Sequence, residues 1–279
     1  MKFCLLLASL STVLGFQITS QSQLTHVRAC DHLVAALTVL DVEETAQRDI
    51  GTMEEWATAY GVQRCEGFQM TATNNENEPL DVGVMTTVDL PAESPVVFVP
   101  NEIILSANRA MEEIGCIDAA ENLFAKLGAS DQIPQFYLFL KILIEYEMGP
   151  ESFYYPWLNS LPRYFSTGAS MTHFCCSDCL PPLVGNLALK ERSRFRQFFK
   201  SLDFCDFLSN DTKSYKKLAK WVFNIVHTRS FPDGYGDVKI APLADYVRIE
   251  SHTSILNANC FYRVLTPDIL FIVFFAVQP

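Results

Sequence analysis

The sequence predicts an α+β fold, because a helix-rich stretch at about 105–228 stands between two regions that read as short strands. The first strand region shows in the runs at 82–88 (VGVMTTV) and 95–100 (PVVFVP), which are β-branched and flanked by Pro and Asn. The helical stretch is marked by 136–147 (FYLFLKILIEYE), apolar nearly all round and too long for an ordinary strand. Strand character returns from about 238. With 279 residues, 49% of them hydrophobic, the chain can bury a substantial core and is not a disordered protein. Its 32 acidic against 21 basic residues give a net charge of −11, which argues against a phosphate-backbone binder.

Taken in order, the first 16 residues carry Lys2 and then an apolar stretch broken only by small residues. This is the pattern of a secretory signal peptide, with a cut near Gly15–Phe16. The text that follows, FQITSQSQLTHVR, resembles the bipartite plastid presequences of algae with secondary plastids. The expected location is therefore the plastid by way of a secretory-type signal, with the secretory lumen or exterior as the alternative. Residues 17–50 form a lead-in with helical character at 34–40, and 53–61 (MEEWATAYG) is a short helix that Gly61 can end. From about 62 to 105 the text is strand-like, with a polar turn at 74–79 (NNENEP) inside it. Within the helical stretch, Phe195, Phe198, Phe199, Leu202 and Cys205 recur at helical spacing, as do Leu218, Trp221, Val222, Ile225 and Val226; both stripes read as core. The nine apolar residues at 269–277 are too few for a membrane helix. They read either as a buried strand or as a tail, 264–279, outside the fold.

Phosphate-binding glycine loops, a GxSxG elbow and an HExxH helix do not occur in this sequence. Of nine Cys, Cys4 falls in the signal segment, and the remaining spacings are wide and irregular, so reduced, buried thiols are expected. The exception is CCSDC at 175–179, preceded by His173: two thiolates three positions apart can hold zinc or form a redox pair, or can be incidental in a loop. No second close pair completes a four-ligand site, so no metal is expected. An Asn-Asp-Thr at 210–212 matches the glycosylation acceptor pattern.

A series of segments carries more information by its order. WATAYG at 56–61 is followed by LDVGVMTTVDL at 80–90, VFVP at 97–100 and LIEYEMGPESFYYPWLNSLP at 143–162; then come WVFNIVHTRSF at 221–231 and IAPLAD at 240–245. This order resembles the SET-domain protein methyltransferases, in particular the Rubisco large-subunit methyltransferase-like branch, over about residues 50–260. The resemblance implies a SET β-fold of short strands split by a helical insert, lying at 51–263. It implies S-adenosylmethionine as cofactor and a protein substrate offering a lysine side chain, on a non-histone protein. A stable membrane insertion, nucleic-acid partners and oligomerisation are not implied; the chain is expected to be a monomer.

Five residues are implied at the cofactor. Val82 and Gly83 match the backbone stretch that lies on the ligand, where Gly permits close approach; Asp81 replaces the first Gly of the pair. Arg229 matches an Arg that pairs with the ligand carboxylate, although a helix-ending Arg also suits the helix dipole. Ser251 and His252 match an Asn-His pair, with Ser in the Asn place and an extra VRIE before them; a loop histidine is the alternative. Asp245 matches a residue lining the target channel, the alternative being a solvated turn carboxylate. The family's catalytic Tyr follows later than Tyr262, so no catalytic residue is assigned and the chain reads as C-terminally truncated relative to the family. The expected function is an S-adenosylmethionine-dependent protein-lysine N-methyltransferase, with a histidine target as a variant. The alternatives are a non-catalytic SET remnant and an exported thiol or zinc protein.

Overall fold

The computed structural model describes residues 40–73, 81–91, 94–247, 260–266 and 269–274, all within one unit, Val39–Pro279. The expected signal segment, most of the lead-in, the turn at 74–79, Ser251 and His252 lie outside the described residues.

Helix α1 (Ile50–Ala59) starts where Asp49 accepts the Thr52 N–H at 3.0 Å and the Thr52 hydroxyl at 2.6 Å. Both bonds favour the charged form and lower the Asp49 pKa. Met53, Trp56 and Ala57 form its buried face, and Gly61 turns the chain away at φ +87°. Strands β1 (Gln63–Arg64), β2 (Phe68–Thr73), β3 (Asp81–Thr86) and β4 (Pro95–Pro100) follow. β2 and β3 form an antiparallel hairpin that sets Gly83 opposite Thr71 and Val82 opposite Ala72.

The helical insert begins after β5 (Leu105–Ser106) with α2 (Ala107–Ile114), capped by the Ser106 hydroxyl on the Arg109 N–H. Then come α3 (Asp118–Lys126) and the buried helix α4 (Ile133–Met148), with Pro134 in its first turn. α5 (Tyr155–Ser160), α6 (Pro182–Ser201), α7 (Asn210–Ser214) and α8 (Lys216–Arg229) complete it. The predicted stripes are core: Phe198 of α6 packs edge-on against Phe124 of α3, Phe136 and Phe139 of α4, and Phe223 of α8, with ring centroids 5.2–5.6 Å apart. α6 begins thirteen residues before the first residue of the predicted stripe, Phe195, because Pro182 starts a helix whose first turns are only partly buried.

After α8, β6 (Phe231–Pro232) and β7 (Val238–Ile240) join β5 in a three-stranded sheet ordered β5-β7-β6. Asp233, Asp237 and Lys239 form a buried ion cluster in the β6–β7 turn, with Lys239 Nζ 2.9 Å from Asp233 Oδ2. β8 (Cys260–Thr266) and β9 (Ile269–Phe274) enter the other sheet, ordered β1-β4-β9-β8 and antiparallel throughout. The apolar run at 269–277 thus takes the strand form at Ile269–Phe274, with a neighbour on either side, which suits a continuous apolar run. The boundary drawn at 263 falls inside β8. Among the described residues no helix is long and apolar enough to cross a membrane.

Candidate functional site

Arg229 is the last residue of α8, where a cation meets the unpaired carbonyls of the helix end. Its side chain turns inward and is only 6% exposed; Nη1 donates to Asp245 Oδ2 at 2.7 Å and to the Asp245 carbonyl at 3.0 Å. The Asp245 side chain is 1% exposed and also accepts the Trp157 indole N–H at 3.1 Å, from α5. The arrangement is an ion pair, because a guanidinium does not shed its proton. Burial pushes the Asp245 carboxyl above its ordinary range, while the Arg229 charge and the Trp157 N–H pull it down.

The turn that delivers Asp245 is built under constraint. Leu243 holds φ +68°, the left-handed region, and is the one non-glycine residue to do so among those described. A 3₁₀ turn, Ala244–Tyr246, follows, and the Asp245 N–H donates to the Ala241 carbonyl at 3.0 Å. Tyr246 then stacks under the Arg229 guanidinium at 4.9 Å from its ring centroid. Its hydroxyl lies 2.8 Å from the Ser160 hydroxyl, and Arg48 Nε donates to the Ser160 carbonyl at 2.7 Å.

Arg163 braces α5 from below. Its Nη1 donates to the Leu158 and Leu161 carbonyls and its Nη2 to Asn159, and burial with the nearby Arg48 charge pushes it down to about 10.

Within the Arg229–Asp245 pair itself, two buried atoms lack hydrogen-bond partners among the described residues: the Arg229 Nε donor and the Asp245 Oδ1 acceptor. A buried donor and acceptor left open in one ion pair are costly unless something supplies the complementary groups. Strand β3 runs within 8 Å, Cα to Cα, of the Ala244–Tyr246 turn. On it Val82 is buried in the core, while a Cβ on Gly83 would meet nothing within 4 Å. The structure therefore brings Arg229 and Asp245 into contact and sets the strand of Val82 and Gly83 beside them; Ser251 and His252 lie outside the described residues. Asp245 is buried rather than a solvated turn carboxylate.

Trp157, Tyr246 and Arg48 escaped the sequence reading. Trp157 stands inside the quoted 143–162 segment and Tyr246 directly follows Asp245, but no spacing links Arg48 to either.

The thiol segment, Cys175–Cys179, forms a single π-helical turn with Cys176 buried. Cys65, Cys116, Cys175, Cys176, Cys179 and Cys205 are free, and among the described residues no three His, Cys, Asp or Glu side chains come together as for a metal.

The architecture has counterparts among solved structures. One is the structure of Rubisco LSMT bound to AdoMet: 14% identity, TM-score 0.56, covering 82% of this chain and 50% of that one. The fold is that of a SET domain. A second counterpart is the SET domain of LSMT bound to lysine and AdoHcy, at 14% identity and TM-score 0.59, covering 81% of this chain. A third, with MeLysine and AdoHcy, has TM-score 0.60 at 13% identity. The chain spans about half the length of those chains. No protein-family model matches the sequence. No curated protein matches it either.

Proposed function

We propose that this chain is an S-adenosylmethionine-dependent protein-lysine N-methyltransferase of the SET type, acting on a non-histone protein as a monomer. One observation carries the reading: a buried Arg229–Asp245 pair with an open donor and an open acceptor stands beside the strand of Gly83, in a fold shared with cofactor-bound SET structures. A ligand carboxylate fits the Arg229 side of such a pair, since it can accept from a guanidinium. Val82, Gly83, Arg229, Ser251 and His252 would hold the cofactor, and Asp245 would serve the substrate side. When bound, the cofactor supplies a methyl group on a positively charged sulfur.

This chain's own residues do the positioning. Trp157 and Arg229 together fix one oxygen of Asp245, and Oδ1 is left without a hydrogen-bond partner among the described residues. The Tyr246 ring holds the guanidinium plane, so its remaining nitrogens keep their direction. Gly83 has open space beside it, since a Cβ there would meet nothing within 4 Å. Plastid delivery by a secretory-type signal is part of the same proposal, and rests on residues 1–28 alone.

Calorimetric titration of the full chain with S-adenosylmethionine and with S-adenosylhomocysteine tests the reading. One site per chain is expected, weakened about tenfold or more by Gly83→Leu with no loss of thermal stability. Absence of binding heat with both ligands refutes it and leaves a SET-fold protein without cofactor.

A further inference from the structure

The thiols of this chain are in sharply different states, and the difference is built from neighbours. Cys116 is exposed, but its Sγ–H donates to Asp118 Oδ1 at 3.1 Å and to Glu121 Oε1 at 3.4 Å. Those carboxylates hold the proton on the sulfur and push the thiol up to about 11. Cys205 is buried, and burial pushes it up to about 12; burial also raises Cys65.

Cys175 has the opposite surroundings. The Thr172 hydroxyl accepts the Cys175 backbone N–H at 3.2 Å, which leaves its own proton free to point at Cys175 Sγ, 3.1 Å away. A hydroxyl so oriented donates to the sulfur and favours its anion. Thr172's side chain and backbone-directed bond lower the Cys175 pKa, and the Arg192 charge acts in the same direction. Arg192 is fixed there because its Nη1 donates to the Met171 carbonyl. The neighbouring Asp178 carboxylate is taken up by the Ser177 hydroxyl at 2.6 Å. Cys175 is half-buried and Cys179 is exposed, whereas Cys176 is 2% exposed. The accessible pair is therefore Cys175 with Cys179, not the CxxC pair that the spacing picks out.

We propose that Cys175 is a peroxide-modifiable thiol and that Cys179, in the same turn, is its resolving partner. The Cys175 thiolate attacks one oxygen of a hydroperoxide; the O–O bond breaks, an S–OH group forms, and the leaving alkoxide or hydroxide takes a proton from water. The Cys179 thiol then attacks the Cys175 sulfur: the S–S bond forms, the S–O bond breaks, and hydroxide leaves with the thiol proton as water. The peroxide is reduced and the two sulfurs are oxidised by two electrons in all. Side chains four apart on a helical turn have Cβ atoms about 5–6 Å apart, and a disulfide needs about 3.8 Å, so the turn must tighten on closing. The turn rests on α6, where Gly185 abuts the Cys176 carbonyl.

The test treats the full chain with hydrogen peroxide, with and without dimedone, and maps products by mass spectrometry. Expected are a dimedone adduct at Cys175 forming about tenfold faster than at Cys116, and without dimedone a Cys175–Cys179 disulfide. Thr172→Val slows the adduct several-fold while leaving Cys116 unchanged, Thr172→Ser restores it, and Cys179→Ser drives Cys175 on to sulfinic acid. Equal rates at Cys175 and Cys116 in the unmodified chain overturn the proposal, as does sulfinic acid at Cys175 with Cys179 still reduced. Both of these comparisons use the native sequence, so a misfolded variant does not blunt them.

Discussion

Removing the charge of Asp245 while keeping its shape probes the centre of the molecule. In Asp245→Asn the guanidinium of Arg229 loses a carboxylate at 2.7 Å inside a site where the two side chains are 6% and 1% exposed. Breaking a buried pair from one side costs about 3–5 kcal/mol, because the remaining charge stays out of water. Three contacts soften the loss: Arg229 keeps the carbonyl of residue 245 at 3.0 Å and the Tyr246 ring at 4.9 Å, and Trp157 can still donate to the amide oxygen. The expected loss is therefore at the low end, about 3 kcal/mol. For a domain of this size each kcal/mol moves the melting temperature by about 2–4 °C, so a fall of about 6–12 °C is expected. Urea unfolding followed by tryptophan fluorescence gives the free energy directly. A paired variant, Arg229→Met with Asp245→Leu, should recover most of the loss, since it removes both charges at once. A single-variant loss below about 1 kcal/mol would refute the assignment of Arg229 as a buried, otherwise unpaired cation.

Three further predictions follow from packing and charge. Phe198→Ala opens a cavity among four aromatic rings and should cost about 3–5 kcal/mol in urea unfolding, with the m-value unchanged. Gly185→Ala sets a methyl group against the Cys176 carbonyl, a backbone atom that cannot swing aside, and should cost about 1–3 kcal/mol in the same assay. Burial raises the pKa of Asp233, but the Lys239 ammonium and the Tyr235 and Asp237 N–H groups outweigh it and leave it lowered. Its stabilising contribution is thus full above the unfolded value of about 3.9 and is lost as pH falls through the folded value. The stability gap between the native chain and Asp233→Asn should close as pH falls below about 4, as read by unfolding at stepped pH.

Much of the architecture was legible because each element satisfies its own local rule. The 136–147 run was apolar on every face and became the central helix α4; the Phe195–Phe198 and Trp221–Ile225 stripes pointed inward as their period required. Asp49 and Ser106 capped helices through short-range bonds that a sequence displays openly. The 269–274 run was ambiguous in sequence, since an unbroken apolar stretch reads alike as strand or stray segment. Its partner β4 is distant in the chain and supplies no local signal. The same limit applies at the site. Arg229 and Asp245 were each singled out, but their mutual contact was not, because helix α8 and the strained Leu243 turn bring them together only in three dimensions. Trp157 and Arg48 were invisible for that reason. The CxxC spacing does not by itself say which thiols are accessible: a π-helical turn buries Cys176, while Cys175 is half-buried and Cys179 exposed.

The placing of β9 between β4 and β8 has a consequence for how the chain is made. β4 leaves the ribosome about 170 residues before the segment that pairs with it, so at ordinary synthesis rates its free edge waits roughly 10–30 s. During that wait Val96, Val97 and Val99 have no strand from 269–274 beside them, a template for pairing with a neighbouring nascent chain. The helices of the insert, whose contacts are local, can close first and hold β4 in place until its partner arrives.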